Sequence, residues 1–159
     1  MKVSVGLKPL NPGLTYPMPN LAFNAFTLPL LVSLSRQATN PCREVRDNAM
    51  TLLQRLLLGP QLSSANQSRV QVNAIFSHSV FPLVEELLDD EVFARDPQGM
   101  AETRSRACAL LCKVFLHYET RMNVDRFNND IRGSWLKLLD LLDGLMHIDR
   151  RSQLASFTF

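Results

Sequence analysis

Cys108 and Cys112 stand four residues apart in "RACALLCKVF". That spacing brings two sulfurs to one face of a helix, and thiolates so placed can hold zinc. A closed zinc site needs four ligands, and no second cysteine pair or neighbouring histidine completes this one. His78, His117 and His147 fall in separate segments, so the cysteines read as small packed apolar side chains. A Cys-His nucleophile involving His117 would need a third group to orient the imidazole, and none is in view. Glu85, Glu86, Asp89, Asp90 and Glu91 could bind a divalent cation or work as paired carboxylates, but they lack the glycine and the oxygen spacing of an EF-hand loop. They read as a solvated helix end, oddly placed because acid at a helix C-terminus opposes the macrodipole. The six glycines never fall in GxGxxG or GxxxxGK spacing, which leaves no phosphate cradle. The sequence therefore assigns no catalytic, cofactor-binding or metal-binding residue.

A contact surface is easier to support. Arg104, Arg106, Lys113, Arg121, Arg126, Arg132, Arg150 and Arg151 give the C-terminal half a local basic excess. Side chains of this kind beside amphipathic helices can touch anionic lipid head groups. The plainer reading is a solvated rim with acidic partners. A net charge of +2, with acids interleaved among the bases, speaks against nucleic acid as a partner. No run approaches the roughly 20 apolar residues of a transmembrane helix, and "MKVSVGLKPLNPG" is too short in apolar residues for a secretory segment. Three cysteines form no paired framework, which suits reduced thiols in the cytosol. The sequon at Asn66 then reads as a polar loop.

These side chains must be positioned by helices. Five of the nine prolines fall in the first 29 residues, so residues 1–24 are expected to form an irregular arm. A short helix is expected from Phe26 to Ala38, with Leu30, Leu31 and Leu34 on one face and Pro29 in the first turn. Asn40 and Pro41 mark a new start, as cap acceptor and first helical residue. Val45, Ala49, Leu52, Leu53 and Leu56 follow at helical spacing until Gly59 and Pro60. A third helix carries Val72, Ile75, Phe76, Val80, Leu83, Val84 and Leu87, with a kink or break near Pro82. "FARDPQG" reads as a loop, residues 100–118 as a fourth helix, and Phe127 to His147 as a fifth marked by Ile131, Trp135, Leu138, Leu139, Leu142 and Leu145. Asp140 and Asp143 fall opposite those leucines, toward water. No alternating strand pattern appears, so the class is all-α, with repeats over residues 25–148 and a short tail from 149 to 159.

One stretch is written twice. Without gaps, Glu44, Arg46, Ala49, Leu52 and Leu53 align with Glu102, Arg104, Ala107, Leu110 and Leu111, 58 positions later. The shared face is expected to pack on a preceding helix, with the arginine on its rim reaching an acid or a loop carbonyl. In a stacked array each hairpin buries its apolar face only against its neighbours, so the same interface must be spelled once per unit. The period exceeds the about 40 to 47 residues of HEAT and armadillo units, and the loop around Asp96 can absorb the excess. A HEAT/armadillo-like α-solenoid is the architecture expected.

"NPCREVRDNAMTLLQRLLL", "VFPLVEELL", "GMAETRSRACALLCKVFLHY" and "WLKLLDLLDGLMHIDRRSQL" together resemble consecutive blocks of the C-terminal helical homology region of Golgi-type large Arf guanine-nucleotide exchange factors, the brefeldin A resistance factor or Gea family, here of fungal type. The resemblance covers about residues 26–154 and is most specific at Gly99, Met100, Glu102, Thr103, Arg104, Arg106, Ala107 and Lys113 to Phe115. It implies a non-catalytic scaffold from the regulatory region of such a factor, cytoplasmic and peripheral to the Golgi, supporting membrane recruitment and vesicle-mediated transport. The family's exchange reaction uses a glutamate on a loop of a separate domain, and no such loop is found in this sequence. The partners implied are other regions of the exchange factor, small GTPases and anionic Golgi membrane, with no cofactor. The alternatives are a share in exchange through contact with the catalytic domain or Arf, and an unrelated helical adaptor. The proline-rich arm and "ASFTF" depart from the family, as a fragment, an isoform or a short product would.

Overall fold

The computed structural model describes residues 21–60, 62, 68–122 and 129–156. Helix α1 starts at residue 21, opens with a π turn over Phe23–Thr27 and continues as Leu28–Gln37. Helix α2 is Arg43–Leu57. Helix α3 joins Arg69–Ile75, a π turn over Phe76–Val80 and Phe81–Leu87 without a break. A single short turn, α4, is Asp90–Ala94. Two long helices follow, α5 at Pro97–Met122 and α6 at Asn129–Ser156. All six are helical and no strand occurs among the described residues, so the class is all-α.

The packing is that of stacked hairpins. Helix α1 pairs with α2 and α3 with α5, while α1, α3 and α6 line up as one layer and α2 and α5 as the other. The core runs through both layers, from Leu31 and Leu53 through Leu83, Leu87 and Leu111 to Leu138 and Leu145, all buried. Aromatic rings link α3 to α5 and α5 to α6, with Phe76 and Phe115 centroids 6.0 Å apart and Phe115 and Trp135 4.4 Å apart. Gly144 lets α6 come close to α3, since a Cβ there would already sit 3.3 Å from a Leu88 methyl.

The repeat reaches further than the doubled motif. "FNAFTLPLL" in α1 and "FSHSVFPLV" in α3 each begin with phenylalanine, carry a π turn, and place Pro29 or Pro82 just after it. Proline has no N–H, and its ring crowds the carbonyl four residues back. Widening one turn relieves that crowding and lets the helix pass through. Pro82 therefore neither breaks α3 nor confines the helix start, and Pro29 lies beyond the first turn. The two prolines are 53 positions apart and the two arginines 58, the difference being the five residues of α4.

Several boundaries differ from those expected. Residues 21–24 belong to α1 and not to the arm, and α6 runs through positions 149–156, expected as tail. The N-cap of α2 is Cys42 rather than Asn40, because the Asn40 carboxamide accepts the Cys42 N–H and sets a turn before the helix. Part of "FARDPQG" is helical on either side of Arg95 and Asp96. On α2 the buried face is Arg46, Ala49, Met50, Leu53 and Leu57, whereas Val45 and Leu52 are exposed. Leu30 and Leu139 likewise face outward. The arm before residue 21 and the Asn66 sequon lie outside the described residues.

Candidate functional site

Two features stand out, a polar knot between the hairpins and a groove across them. The knot centres on Arg46, whose side chain is wholly buried. Its Nη1 donates to the Asn40 carbonyl at 2.8 Å, its Nε to Thr103 Oγ1 at 3.0 Å, and its Nη2 to Asp96 Oδ2 at 2.5 Å. One guanidinium thus closes the α1 to α2 loop and ties α2 to the start of α5. Gly99 makes room for it, because a Cβ there would fall 2.0 Å from Asp96 Oδ2 and 2.3 Å from Arg46 Nη2. The Arg46 hydrogen bond, followed by the Gly99 N–H, holds the Asp96 carboxyl below its ordinary value of 3.8. The equivalent Arg104 is also buried, donates Nε to the Leu87 carbonyl at 2.6 Å, and lies 4.1 Å over the Phe93 ring. The arginines expected on the rim are therefore inside, closing the ends of α1 and α3, where long flexible stems can reach and the carbonyls need donors.

Above the knot the α2 to α5 surface is neutralised by its own pairs. Arg43 meets Glu102, and Arg106 bonds Asp47 at 2.8 Å and Thr51 at 3.1 Å. At the far end of α2, Tyr118 Oη donates to the Leu57 carbonyl at 3.1 Å. Of the basic residues considered for lipid contact, Arg104 is buried, Arg106 is engaged and Lys113 is exposed. The side chains of Arg121, Arg126, Arg132, Arg150 and Arg151 lie outside the described set.

The acidic cluster also resolves into structure. Glu85 pairs with Lys137 of α6 at 2.8 Å, Glu86 accepts from Thr39 at 2.9 Å, and Asp89 caps α4 by accepting the Glu91 N–H. Asp90 and Glu91 then occupy the first turn of α4, where the dipole favours acid. The oddity is thus resolved for Asp89, Asp90 and Glu91, while Glu85 and Glu86 remain in the last turn of α3, held by Lys137 and Thr39. Cys108 and Cys112 are free and half-buried, and no group of three or more His, Cys, Asp or Glu placed to hold a metal occurs among the described residues.

The groove, about 500 Å³, runs between α1 and α3. Leu28, Val32, Leu83 and the two prolines line it, with Arg36 and Glu86 on its polar rim. Ser35 and Ser79, whose hydroxyls are 2.6 Å apart and buried, draw the helices together beneath it. His78, weighed in the sequence only as a metal ligand, stands exposed on the π turn at its edge; the groove itself is not legible there because it is made by two helices whose prolines lie 53 positions apart. The recurring Pro after Phe or Leu was the signal available.

Residues 27–157 match the family model described as "GBF1-like, tetratrico peptide repeat region". The chain belongs to this GBF1-like family. It is also similar to a Golgi-specific brefeldin A-resistance guanine nucleotide exchange factor 1 homolog of Caenorhabditis elegans, with 31% identity over 123 residues, 76% of this chain. It spans about 6% of that relative's length. No solved structure matches the chain. As a GBF1-like region it is a helical portion of such a factor, and no helix of the described residues is long and apolar enough to cross a membrane. The family description speaks of tetratricopeptide repeats where the sequence suggested HEAT or armadillo units; both are stacked helical hairpins.

Proposed function

We propose that this chain is a non-catalytic, protein-facing scaffold of an Arf guanine-nucleotide exchange factor, supporting its recruitment to Golgi membrane and so vesicle-mediated transport. The observation that carries this reading is the open groove between α1 and α3, apolar in its floor and charged at its rim. A groove of that kind accepts an apolar side chain from a partner helix or loop while Arg36 and Glu86 orient the polar flank. The knot below it supports the same reading, since a contact surface spread over two hairpins is useful only if they hold one relative position. The self-paired charges of α2 and α5 favour a protein partner over an anionic lipid surface at that face.

The test uses the full-length exchange factor carrying Val32→Arg, which puts a charge in the half-buried groove floor. Golgi association in cells should fall severalfold while the solution rate of nucleotide release from Arf stays within about twofold of the parent. A parallel fall in exchange rate would show instead that this region shares in catalysis by contacting the catalytic domain or Arf. Unchanged recruitment would remove the groove as the recruiting surface.

A further inference from the structure

The groove between α1 and α3 carries an acceptor that its own helix leaves unused. In the π turn of α3 the Phe81 N–H bonds the Phe76 carbonyl, so the next rung in that register would run from residue 82 to the Ser77 carbonyl. Residue 82 is proline and has no N–H to give, and Ser77 and Pro82 both line the groove. Glu86 accepts the Thr39 hydroxyl through Oε1 at 2.9 Å, and its Oε2 remains for another donor. On the α1 side Arg36 is exposed, and among the described residues neither it nor Glu86 makes an ion pair. Leu28, Val32 and Leu83 form the apolar floor between them. The complementary ligand is an extended chain that brings apolar side chains to the floor, backbone carbonyls to Arg36, a cation to Glu86 and a donor to Ser77.

Residues 1–20 of this chain have that chemistry. Pro9, Pro12, Pro17 and Pro19 favour the polyproline II form, whose carbonyls carry no internal hydrogen bond. Leu7, Leu10 and Leu14 are apolar, Thr15 and Tyr16 carry hydroxyl donors, and Lys8 is a cation in a segment where no acid precedes Glu44. The reach is sufficient. Thr39, which bonds Glu86, lies about 27 Å along the helical rise from residue 21, where α1 starts. The stretch from residue 20 back to Lys8 spans about 37 Å at the polyproline II rise, which leaves slack to reverse direction at the head of α1. We propose that residues 7–18 occupy this groove in the resting protein, laid along α1 with Lys8 at Glu86, and that a partner binds only by displacing them. The consequence in cells rests on the groove being the recruiting surface; the contact itself does not.

The test uses a fluorescein-labelled peptide copying residues 5–20, titrated by anisotropy into the whole chain and into the whole chain carrying Lys8→Glu with Leu10→Glu, which disables its own arm. The arm variant should bind the peptide at about 100 µM and the parent about tenfold more weakly, because a tethered arm competes at roughly millimolar effective concentration. Val32→Arg added to the arm variant should abolish binding. Arg36→Glu, at an exposed position, should weaken it severalfold, and it decides the matter if circular dichroism finds Val32→Arg unfolded. A peptide that binds neither chain, binds parent and arm variant alike, or still binds fully with the groove altered would overturn the proposal. Sedimentation should find the parent monomeric; a dimer lost in the arm variant would hand the arm to a neighbouring copy and overturn its assignment within one chain. If the groove takes its arm but recruits no partner, peptide binding stands while Golgi association of the Val32→Arg exchange factor is unchanged, so the two failures are read separately.

Discussion

Arg46 and Arg104 hold the same position in successive hairpins, and both are buried against the end of the helix that precedes them. Their surroundings differ. Arg46 bonds a loop carbonyl, a threonine and an aspartate of the next hairpin, whereas Arg104 bonds the Leu87 carbonyl and stacks on Phe93. The shared role is to close the hairpin, and the added role of Arg46 is to fasten one hairpin to the next.

Replacing Arg46 by methionine keeps the stem and removes the guanidinium. Thr103 and the loop carbonyls lose a wholly buried donor, so thermal melting should show Tm lowered by about 10 °C, the size associated with breaking a buried charge network. A shift below about 2 °C would mean that the hairpins are held by apolar packing alone.

Gly99→Ala should act through the same knot. The added methyl displaces Asp96 or Arg46, at a cost of about 1 to 3 kcal/mol for an overpacked site. In a double-mutant cycle the alanine should cost much less once Arg46 is methionine, because the crowded partner is gone. Full additivity in urea titration would separate the two effects.

Acid should loosen the knot in a defined direction. Asp96 has a lowered carboxyl in the folded chain, so its contribution is complete above the ordinary value of 3.8 and drains as pH falls below it toward the folded value. Asp96→Asn should be less stable than the parent at neutral pH, and the gap should narrow as pH is taken below 4. A gap independent of pH would contradict the ion pair.

Where α1 meets α3, Ser35→Ala should cost only about 1 kcal/mol, since Ser79 retains the Leu31 carbonyl as acceptor. Ser79→Leu should cost about 2 to 3 kcal/mol by forcing the two helices apart. Equal losses for the two variants, read from chemical denaturation, would deny the close approach.

Much of this architecture was legible in the amino-acid order. Leucine periodicity gave the helices, and the doubled Glu-x-Arg-x-x-Ala motif gave the stacking, because each hairpin has to present the same surface. Burial of the arginine was not legible. Its acceptors, the Asn40 carbonyl and the Asp96 carboxylate, come from a loop and from the next hairpin, and local pattern carries neither. The expectation of Pro29 in a first turn and of a kink or break near Pro82 misses the continuous helices, because the π turn that accommodates each proline has no simple residue signature. Val45 and Leu52 looked like core because an end face of an array has the same spelling as an internal one. The groove depends on how α1 and α3 approach, which Ser35 and Ser79 set across 44 residues.

The most direct measurement is nucleotide release from Arf, timed with the 159-residue chain alone and with the chain added in equal amount to the catalytic region of its exchange factor. The account predicts the spontaneous rate in the first case and the unaltered catalytic rate in the second. Acceleration of release in either would contradict a scaffold without a part in the chemistry.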